Sequence, residues 1–419
     1  MRVRLVFVVL ACILVLAGYS FARSDRVGCA DQPHIGDVRR PLSVVLYPFI
    51  PNFKEVLYTI KSGFEEMHPD VELCFVDLSA NYYAKTKHGQ PAKAYIGTAE
   101  ADIYELDSVF LQDFIDNEKI QELPRSAQLP VDQLLRNALD GSSIGGKRYG
   151  APHWVCGNFV FFRAGDAAMR NVHTFADLET TVGGSDHAVG TGLLVDLKGS
   201  STLGEFYLEA ATDKYGWPDA SSHLRTVENP LEDKLTRLSH LCDEGYCRDD
   251  DYHGKEIYGR AFSRNKGRIL VGYSETLHAV LAETQQGCVK NDRCLTDADI
   301  DVVQLSLDDK GSHQISWVDS FVIAKGCSSA CLADAVAFIQ YMNQDATYVS
   351  ILQPSPDVPP AYLLPAKATL FTNREVTGPA HLYPKLREII EAAAAPSGSG
   401  LNDMLRNDGA TIDAAFPVK

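Results

Sequence analysis

Near its start, the chain places a helical pattern between two strand patterns. Residues 43–46 and 71–78 have the apolar and β-branched character of strands. Phe53–Met67 lies between them and carries apolar residues at 53, 56, 57, 60 and 64, which is helical spacing. A strand, a helix and a second strand in this order predict a parallel sheet with helices on its faces, and therefore an α/β protein.

The most apolar stretch in the middle of the chain, residues 149–163, predicts one buried strand that is entered through a proline turn. Pro152 fixes its own φ and favours extended backbone in the residue before it. Cys156 lies within this stretch and is followed by Gly157, which has no side chain to cover the sulfur. We expect the chain to cross between two lobes here.

Two α/β lobes that the chain crosses more than once would leave a ligand cleft between them. A second crossing is expected near residues 302–305. Residues 41–152 and 306–345 are predicted to form lobe 1, and residues 153–305 and 346–419 lobe 2. Residues 183–204 are rich in glycine and serine and predict a loop over the cleft, whereas residues 382–395 predict a last long helix followed by a linker.

The N-terminus has the pattern of a secretory signal over residues 1–22. Arg2 and Arg4 precede an apolar core that is too short to span a membrane comfortably, and Ala22 ends a suitable cleavage site. The sequence therefore predicts a protein that passes through the secretory pathway or is secreted, and that meets an oxidising compartment.

Cysteine usage agrees with an oxidising compartment. Of ten cysteines, Cys12 would leave with the signal, and nine would remain. The simplest of many pairings joins eight of them as 29–74, 242–247, 288–294 and 327–331. This pairing leaves Cys156 as an odd thiol in a secreted chain.

The formal net charge of −16 argues against a nucleic-acid partner, because such proteins need a basic surface. A cationic ligand would suit this charge, although solubility alone would also account for it. We expect no metal, no cofactor, no membrane partner and a monomer.

Cys156 is the first candidate for chemistry, since a nucleophilic thiol needs a lowered pKa or a base within reach. The alternative is a buried structural cysteine. His153 lies three residues earlier, so on a strand the two side chains would point to opposite faces, which disfavours a cysteine–histidine pair. Glu275 is the better candidate base, because burial at a strand end would raise the pKa of its carboxyl group. It could instead be a carboxylate at a helix N-terminus.

Further polar and aromatic residues are candidates for the wall of a cleft. Asp107 follows a strand and could simply cap a helix, and Asp319 lies within an apolar run and could be a satisfied structural aspartate. The candidate aromatic residues, any one of which could be core, are Tyr47, Tyr82, Tyr83, Tyr258, Tyr273 and Trp317.

Several short blocks together resemble the thiamine pyridinylases, the thiaminases of the first type, from about residue 42 to residue 370. They occur in the same order and at similar spacing, and Trp317 stands where a tyrosine is expected. The blocks are Tyr47-Pro48-Phe49-Ile50-Pro51, Leu106-Asp107-Ser108-Val109-Phe110-Leu111, Pro152 with Cys156, Asn158, Phe162 and Arg163, Gly272-Tyr273-Ser274-Glu275, and Tyr362-Leu363-Leu364-Pro365.

The resemblance implies a two-lobed periplasmic-binding-protein-like fold of type 2 and cleavage of thiamine at its methylene bridge. Cys156 would attack the pyrimidine, Glu275 would act as general base, and an amine, pyridine or thiol would then displace the cysteine. Asp107 and Asp319 match carboxylates that contact the substrate. The matched aromatic substrate-binding positions are Tyr47, Tyr82, Tyr258, Tyr273 and Trp317.

Two other classes of protein remain as alternatives. A non-catalytic extracellular protein that binds thiamine or a pyrimidine would share the fold and the acidic cleft, but would have no use for a free thiol. A cysteine hydrolase would need a histidine within reach of Cys156.

Overall fold

A computed structural model of the chain describes residues 26–27, 39–78, 96, 100–183, 190–243, 246–247, 257–287, 295–308, 314–353, 355 and 357–416. The predicted signal, Tyr82 and Tyr83 lie outside these residues. Within these ranges, none of the helices is both long enough and apolar enough to span a membrane.

Strands and helices alternate along the chain, as the α/β prediction requires. The strands are β1 (Arg26–Val27), β2 (Arg40–Val45), β3 (Val71–Val76), β4 (Ile103–Asp107), β5 (Ser143–Ile144), β6 (Lys147–Arg148), β7 (Gly150–Cys156), β8 (Phe159–Arg163), β9 (Leu193–Leu194), β10 (Ile269–Gly272), β11 (Ile300–Gln304), β12 (Trp317–Ile323) and β13 (Leu364–Pro365). The α-helices are α1 (Phe53–Met67), α2 (Ser108–Asp116), α3 (Arg136–Gly141), α4 (Phe175–Val182), α5 (Ser200–Tyr215), α6 (Asn229–His240), α7 (Ile257–Ser263), α8 (Thr276–Gly287), α9 (Ser329–Met342), α10 (Asp345–Leu352), α11 (Arg374–Thr377), α12 (Tyr383–Glu391) and α13 (Leu401–Ala415).

The first lobe is built on a sheet with the strand order β1-β3-β2-β4-β12-β7-β13. Its β2 strand pairs in parallel with β3 and β4, which confirms the strand–helix–strand prediction for this region. The sheet as a whole is mixed, because β12 lies antiparallel between β4 and β7 when the chain returns from the second lobe.

The second lobe is built on a smaller sheet with the order β11-β8-β10-β9. Four consecutive residues of β8, Phe159 to Phe162, are at most 1% exposed. A strand that is covered on both faces is apolar throughout rather than alternating, which explains why this part of the sequence lacks a polar face.

Residues 149–163 form two strands and not the single strand that was predicted. β7 belongs to the first sheet and β8 to the second, so the first crossing is the two-residue segment Gly157–Asn158. A β-carbon at residue 157 would lie 2.7 Å from Cδ1 of Ile390 and 3.2 Å from the carbonyl oxygen of Ile315. Glycine therefore fits best where the two crossings pass each other.

The strand pairing also shifts the predicted boundaries of the lobes. All of β7 lies in the first sheet, so lobe 1 extends to Cys156 rather than to residue 152. β13 pairs with β7, and α10 packs against α1, which places part of residues 346–419 with lobe 1 instead of lobe 2. The second crossing lies between β11 and β12.

Two predictions about helices are wrong. Residues 183–204 are not a continuous loop, because they include β9 and the start of α5. The helix predicted at 382–395 is α12, and it is followed by α13, which packs on α5 and also contacts α2. The sequence does not show a clear apolar face for α13, because polar side chains are buried beside its apolar ones. Among them are Asn402, Arg406 and Asp408.

Two of the predicted disulfides, Cys242–Cys247 and Cys327–Cys331, are confirmed. Cys74 is also disulfide-bonded, while its predicted partner Cys29 and the predicted pair 288–294 lie outside the described residues. Among the residues that the structure describes, Cys156 is the free cysteine, and it is buried.

Candidate active site

The two lobes meet at a narrow cleft. The carboxyl ends of β4, β7 and β10 and the beginning of β12 converge on it, which is where open α/β sheets bind ligands. Its lining residues are Tyr47, Asp107, Cys156, Asn158, Ser201, Thr202, Glu205, Tyr273, Trp317 and Asp319.

Cys156 ends β7 at the floor of this cleft and is 8% exposed. It lies opposite Trp317 in the register of β7 with β12. Its Sγ atom donates a hydrogen bond of 3.6 Å to Oδ2 of Asp319. Asp319 lies two residues after Trp317 on β12. The thiol therefore faces the cleft and contacts a carboxyl group directly.

Asp107 and Asp319 lie opposite each other in the register of β4 with β12. Asp107 caps α2 by accepting a hydrogen bond of 2.9 Å from the backbone N–H of Val109. It thus has both of the roles considered from the sequence, helix cap and cleft residue. Oδ1 of Asp319 is buried and has no hydrogen-bond partner within the described part of the chain.

Burial raises the pKa of both carboxyl groups. The pKa of Asp107 is raised to about 6. The pKa of Asp319 is raised well above its ordinary value, first by burial and then by the negative charges of Asp107 and Glu105. A pair of adjacent carboxyl groups resists full ionisation, so the cleft favours a proton or a cation between them.

The Cys156 thiol is held in its neutral form. Burial, followed by the negative charges of Asp319 and Glu275, raises its pKa well above the ordinary value. A nucleophilic role therefore requires a base for the proton and a positive charge that offsets the carboxylates.

Glu275 lies between β10 and α8, directly before the first residue of the helix. Burial raises the pKa of its carboxyl group to about 7, which suits a general base at neutral pH. It is not among the residues that line the cleft, but its charge acts on both Cys156 and Asp319. The charge of Glu275 thus influences the thiol although its side chain does not line the cleft.

Tyr47 and Tyr273 face the cleft from opposite lobes and are 6% and 9% exposed. The Tyr273 hydroxyl donates a hydrogen bond to Oε2 of Glu205 on α5. Burial raises the pKa of Glu205 to about 8. With Trp317, these rings form aromatic walls around an acidic floor.

Glu105 fixes the segment that carries Tyr47. One of its oxygens accepts a 2.9 Å hydrogen bond from the Tyr47 backbone N–H, and the other lies 2.5 Å from Nδ1 of His153. His153 is buried and engaged by this carboxyl group, which agrees with the prediction that it is not the base for Cys156.

Some predicted site residues do not line the cleft. Tyr258 is buried in α7, at 2% exposure, and Tyr82 lies outside the described residues. Of the other lining residues, Asn158 belongs to the Cys156 block of the resemblance, whereas Ser201, Thr202 and Glu205 were not predicted as site residues. Helix α5 begins at Ser200 after Gly199 without a side-chain cap, so the sequence carries no clear signal for the residues that it brings to the cleft.

Within the described residues, Asp102, Cys327 and Cys331 have ligand atoms close enough together for a metal ion. The two cysteines are bonded to each other, so they offer no thiolates. This cluster lacks the donor set that a metal site would need.

Two comparisons of the sequence with known proteins find thiaminases of the first type. Residues 157–290 match the family model of the Thiaminase-1 domain. Thiaminase-1 of Paenibacillus thiaminolyticus is 28% identical over 397 residues, which cover 91% of this chain and 87% of that relative.

Solved structures establish the fold. Clostridium botulinum thiaminase I, solved in complex with thiamin, has a TM-score of 0.72 and 21% identity, with 88% of this chain and 98% of that chain covered. Maltose-bound MalE3 of T. maritima has a TM-score of 0.61 and 12% identity, with 90% and 98% covered. This chain therefore has the two-lobed periplasmic-binding-protein-like fold of type 2 and is similar to the thiaminases of the first type over most of its length, which confirms the predicted resemblance and the prediction of an enzyme of that kind.

Proposed function

We propose that the protein cleaves thiamine at the methylene bridge and transfers the pyrimidine to an amine, a pyridine or a thiol. The observation that carries this proposal is the free Cys156 thiol at the floor of an acidic and aromatic cleft. A protein that only binds a ligand has no need for such a thiol. The relatives named for thiaminase activity support the choice of substrate.

In the proposed reaction, Glu275 takes the proton from the Cys156 thiol as the sulfur attacks the pyrimidine carbon beside the bridge. The bond from the methylene carbon to the thiazolium nitrogen breaks, and the thiazole leaves as a neutral molecule. The second nucleophile then bonds to the methylene carbon that the thiazole left, the bond from the sulfur to the ring carbon breaks, and the thiol regains the proton held by Glu275. This is covalent catalysis in two steps with ping-pong character.

The positive charge of the substrate would suit this acidic site. Thiamine is a cation, and the aromatic faces of Tyr47 and Tyr273 would hold it by cation–π attraction. A positive charge near Asp107 and Asp319 would also offset the repulsion that keeps the thiol neutral. Binding of substrate and activation of the nucleophile are therefore linked.

The proposal is tested by incubating the purified protein with thiamine in the presence and absence of aniline. Thiamine loss that depends on aniline, together with a pyrimidine adduct on Cys156 by mass spectrometry, is the expected result. Binding of thiamine without any loss, under conditions where Cys156 is reduced, would favour the non-catalytic binding protein instead.

The proposal places the protein in the secretory pathway or outside the cell, as a monomer with a signal cleaved after Ala22. The Cys242–Cys247 and Cys327–Cys331 disulfides support an oxidising destination. N-terminal sequencing of secreted material tests the cleavage, and light scattering tests the monomer.

A further inference from the structure

Helix α5 carries three carboxyl groups, Glu205, Glu209 and Asp213, at intervals of four residues along one face. Two of them accept hydrogen bonds from backbone N–H groups of the second crossing. Glu209 accepts from the N–H of Ile315 at 3.3 to 3.4 Å, and Asp213 accepts from the N–H of Leu307 at 2.6 Å. Holding the connection between the lobes accounts for both of these buried acids.

Glu205 has a different environment at the end of this face. It lines the cleft, and within the described residues its hydrogen-bond partner is the Tyr273 hydroxyl. That partner is a side chain of the candidate site and not a backbone group. A role in holding the connection therefore does not explain Glu205.

Tyr273 is the link from Glu205 to the reacting atoms. Its ring lines the cleft, and it is close enough to Cys156 and Tyr47 for their charges to act on its hydroxyl. A tyrosine ring that is fixed at its hydroxyl keeps one orientation, whereas an unanchored ring can rotate about two bonds.

We propose that Glu205 is a positioning residue, which holds the Tyr273 hydroxyl so that the tyrosine ring forms a fixed wall beside Cys156. In the reaction proposed above, on which this role rests, that wall sets the angle at which the substrate ring meets the sulfur. Glu205 itself neither bonds to the substrate nor takes the thiol proton.

The electrostatics of Glu205 agree with this role. The charged and titratable groups that act on it are Tyr273, Asp107, Arg406 and Asp196. Burial raises the pKa of Glu205 to about 8, so its carboxyl group is largely neutral at pH 7. A neutral carboxyl group orients a hydroxyl without adding another negative charge beside the thiol.

A double-mutant cycle tests the proposal, with Glu205→Ala, Tyr273→Phe and the double variant. Each single variant is expected to lower kcat/KM for thiamine by roughly 5- to 15-fold, the worth of one neutral hydrogen bond. The kcat/KM of the double variant is expected to lie within twofold of the value for Tyr273→Phe. Glu205→Gln is expected to retain most of the wild-type kcat/KM. Fully multiplicative effects, or no loss in Glu205→Ala, would overturn the role.

The matched control is Asp408→Asn. Asp408 is a carboxyl group that is 5% exposed, has a pKa raised to about 7 by burial and lies outside the lining of the cleft. The kcat/KM of the Asp408→Asn variant for thiamine is expected to stay at the wild-type value. If Glu205→Ala does not fold, Glu205→Met keeps the volume, removes the hydrogen bond and takes its place in the cycle.

A second measurement separates this role from the proposed function. The rate at which iodoacetamide alkylates Cys156 is measured without thiamine in the same variants. Glu205→Ala and Tyr273→Phe are expected to change the rate in the same direction and by a similar factor, with no further change in the double variant. Wild-type protein that leaves thiamine intact would refute the proposed function alone, whereas unchanged alkylation in both single variants would overturn the positioning role.

Discussion

The sulfur of Cys156 lies 3.6 Å from Oδ2 of Asp319, across the pairing of β7 with β12. Both residues are nearly inaccessible to solvent, and the Asp319 carboxyl group raises the pKa of the thiol. The hydrogen bond from the thiol lowers the pKa of Asp319 in return, but burial and the neighbouring carboxylates raise it overall. The site therefore holds Cys156 as a neutral thiol. In the proposed reaction, a bound cation would offset the carboxylate charges and favour the thiolate.

The first prediction concerns the nucleophile. Cys156→Ser is expected to abolish thiamine cleavage and to leave thiamine binding within a few-fold of wild type, because the hydroxyl keeps the shape of the site but is a much weaker nucleophile. Product analysis by chromatography and isothermal titration calorimetry are the measurements. Retained turnover in this variant would refute the covalent mechanism.

The second prediction concerns Glu275. Its substitution by Gln is expected to slow turnover by roughly 10²–10⁴, the usual contribution of a general base. Since the pKa of Glu275 is raised to about 7, wild-type kcat is expected to increase with pH through that value as the base ionises. The increase should be absent in Glu275→Gln. An unchanged rate would remove Glu275 from the proposed role.

The third prediction isolates the contact between Cys156 and Asp319. Asp319→Asn removes a negative charge and a strong acceptor, so the pKa of the Cys156 thiol is expected to fall. The pH dependence of alkylation by iodoacetamide measures this pKa, and the midpoint should move to lower pH. Asp408→Asn serves as the control, and a midpoint that shifts equally in both variants would contradict the assignment.

The fourth prediction concerns stability. The folded-state pKa values of Asp107, Glu205 and Glu275 are raised to about 6, 8 and 7. In the unfolded chain these groups lose their protons near pH 4, so between about pH 4.5 and 8 the folded state holds more protons than the unfolded state. Stability from these groups therefore falls as pH rises through this window.

Thermal melts from pH 5 to 8 measure this effect. The Tm is expected to decrease with pH, and Glu205→Gln should make the decrease shallower. Carboxyl groups with lowered pKa values, such as Asp166 beside Arg268, gain their stabilisation at lower pH and do not oppose the trend. A Tm that rises steadily up to pH 8 would contradict this reading of the cleft.

Sequence patterns predicted α1 with its exact bounds and the strands on either side of it, β2 and β3, because one face or both faces of these elements are apolar. They also identified Cys156 as the free thiol. They did not reveal that residues 149–163 divide between two sheets, since β7 and β8 are equally apolar and only Gly157 marks the break.

The missed part of the site has a physical cause as well. Glu205 and its neighbours lie on α5, whose first turn is rich in serine and threonine and therefore has the composition of a loop. The final helix α13 buries Arg406 and Asp408, so its burial does not follow its apolar residues. Side chains that are buried for function or in polar contacts weaken the periodic signal.

Gly157 shows which part of the molecule can vary. Because the two crossings pass close to each other there, a β-carbon would displace the end of the Ile390 side chain and crowd the carbonyl oxygen of Ile315. The walls of the cleft, by contrast, come from separate strand ends and from α5. New substrate preferences could therefore evolve by exchange of wall residues, one segment at a time, while the joint between the lobes is inherited unchanged.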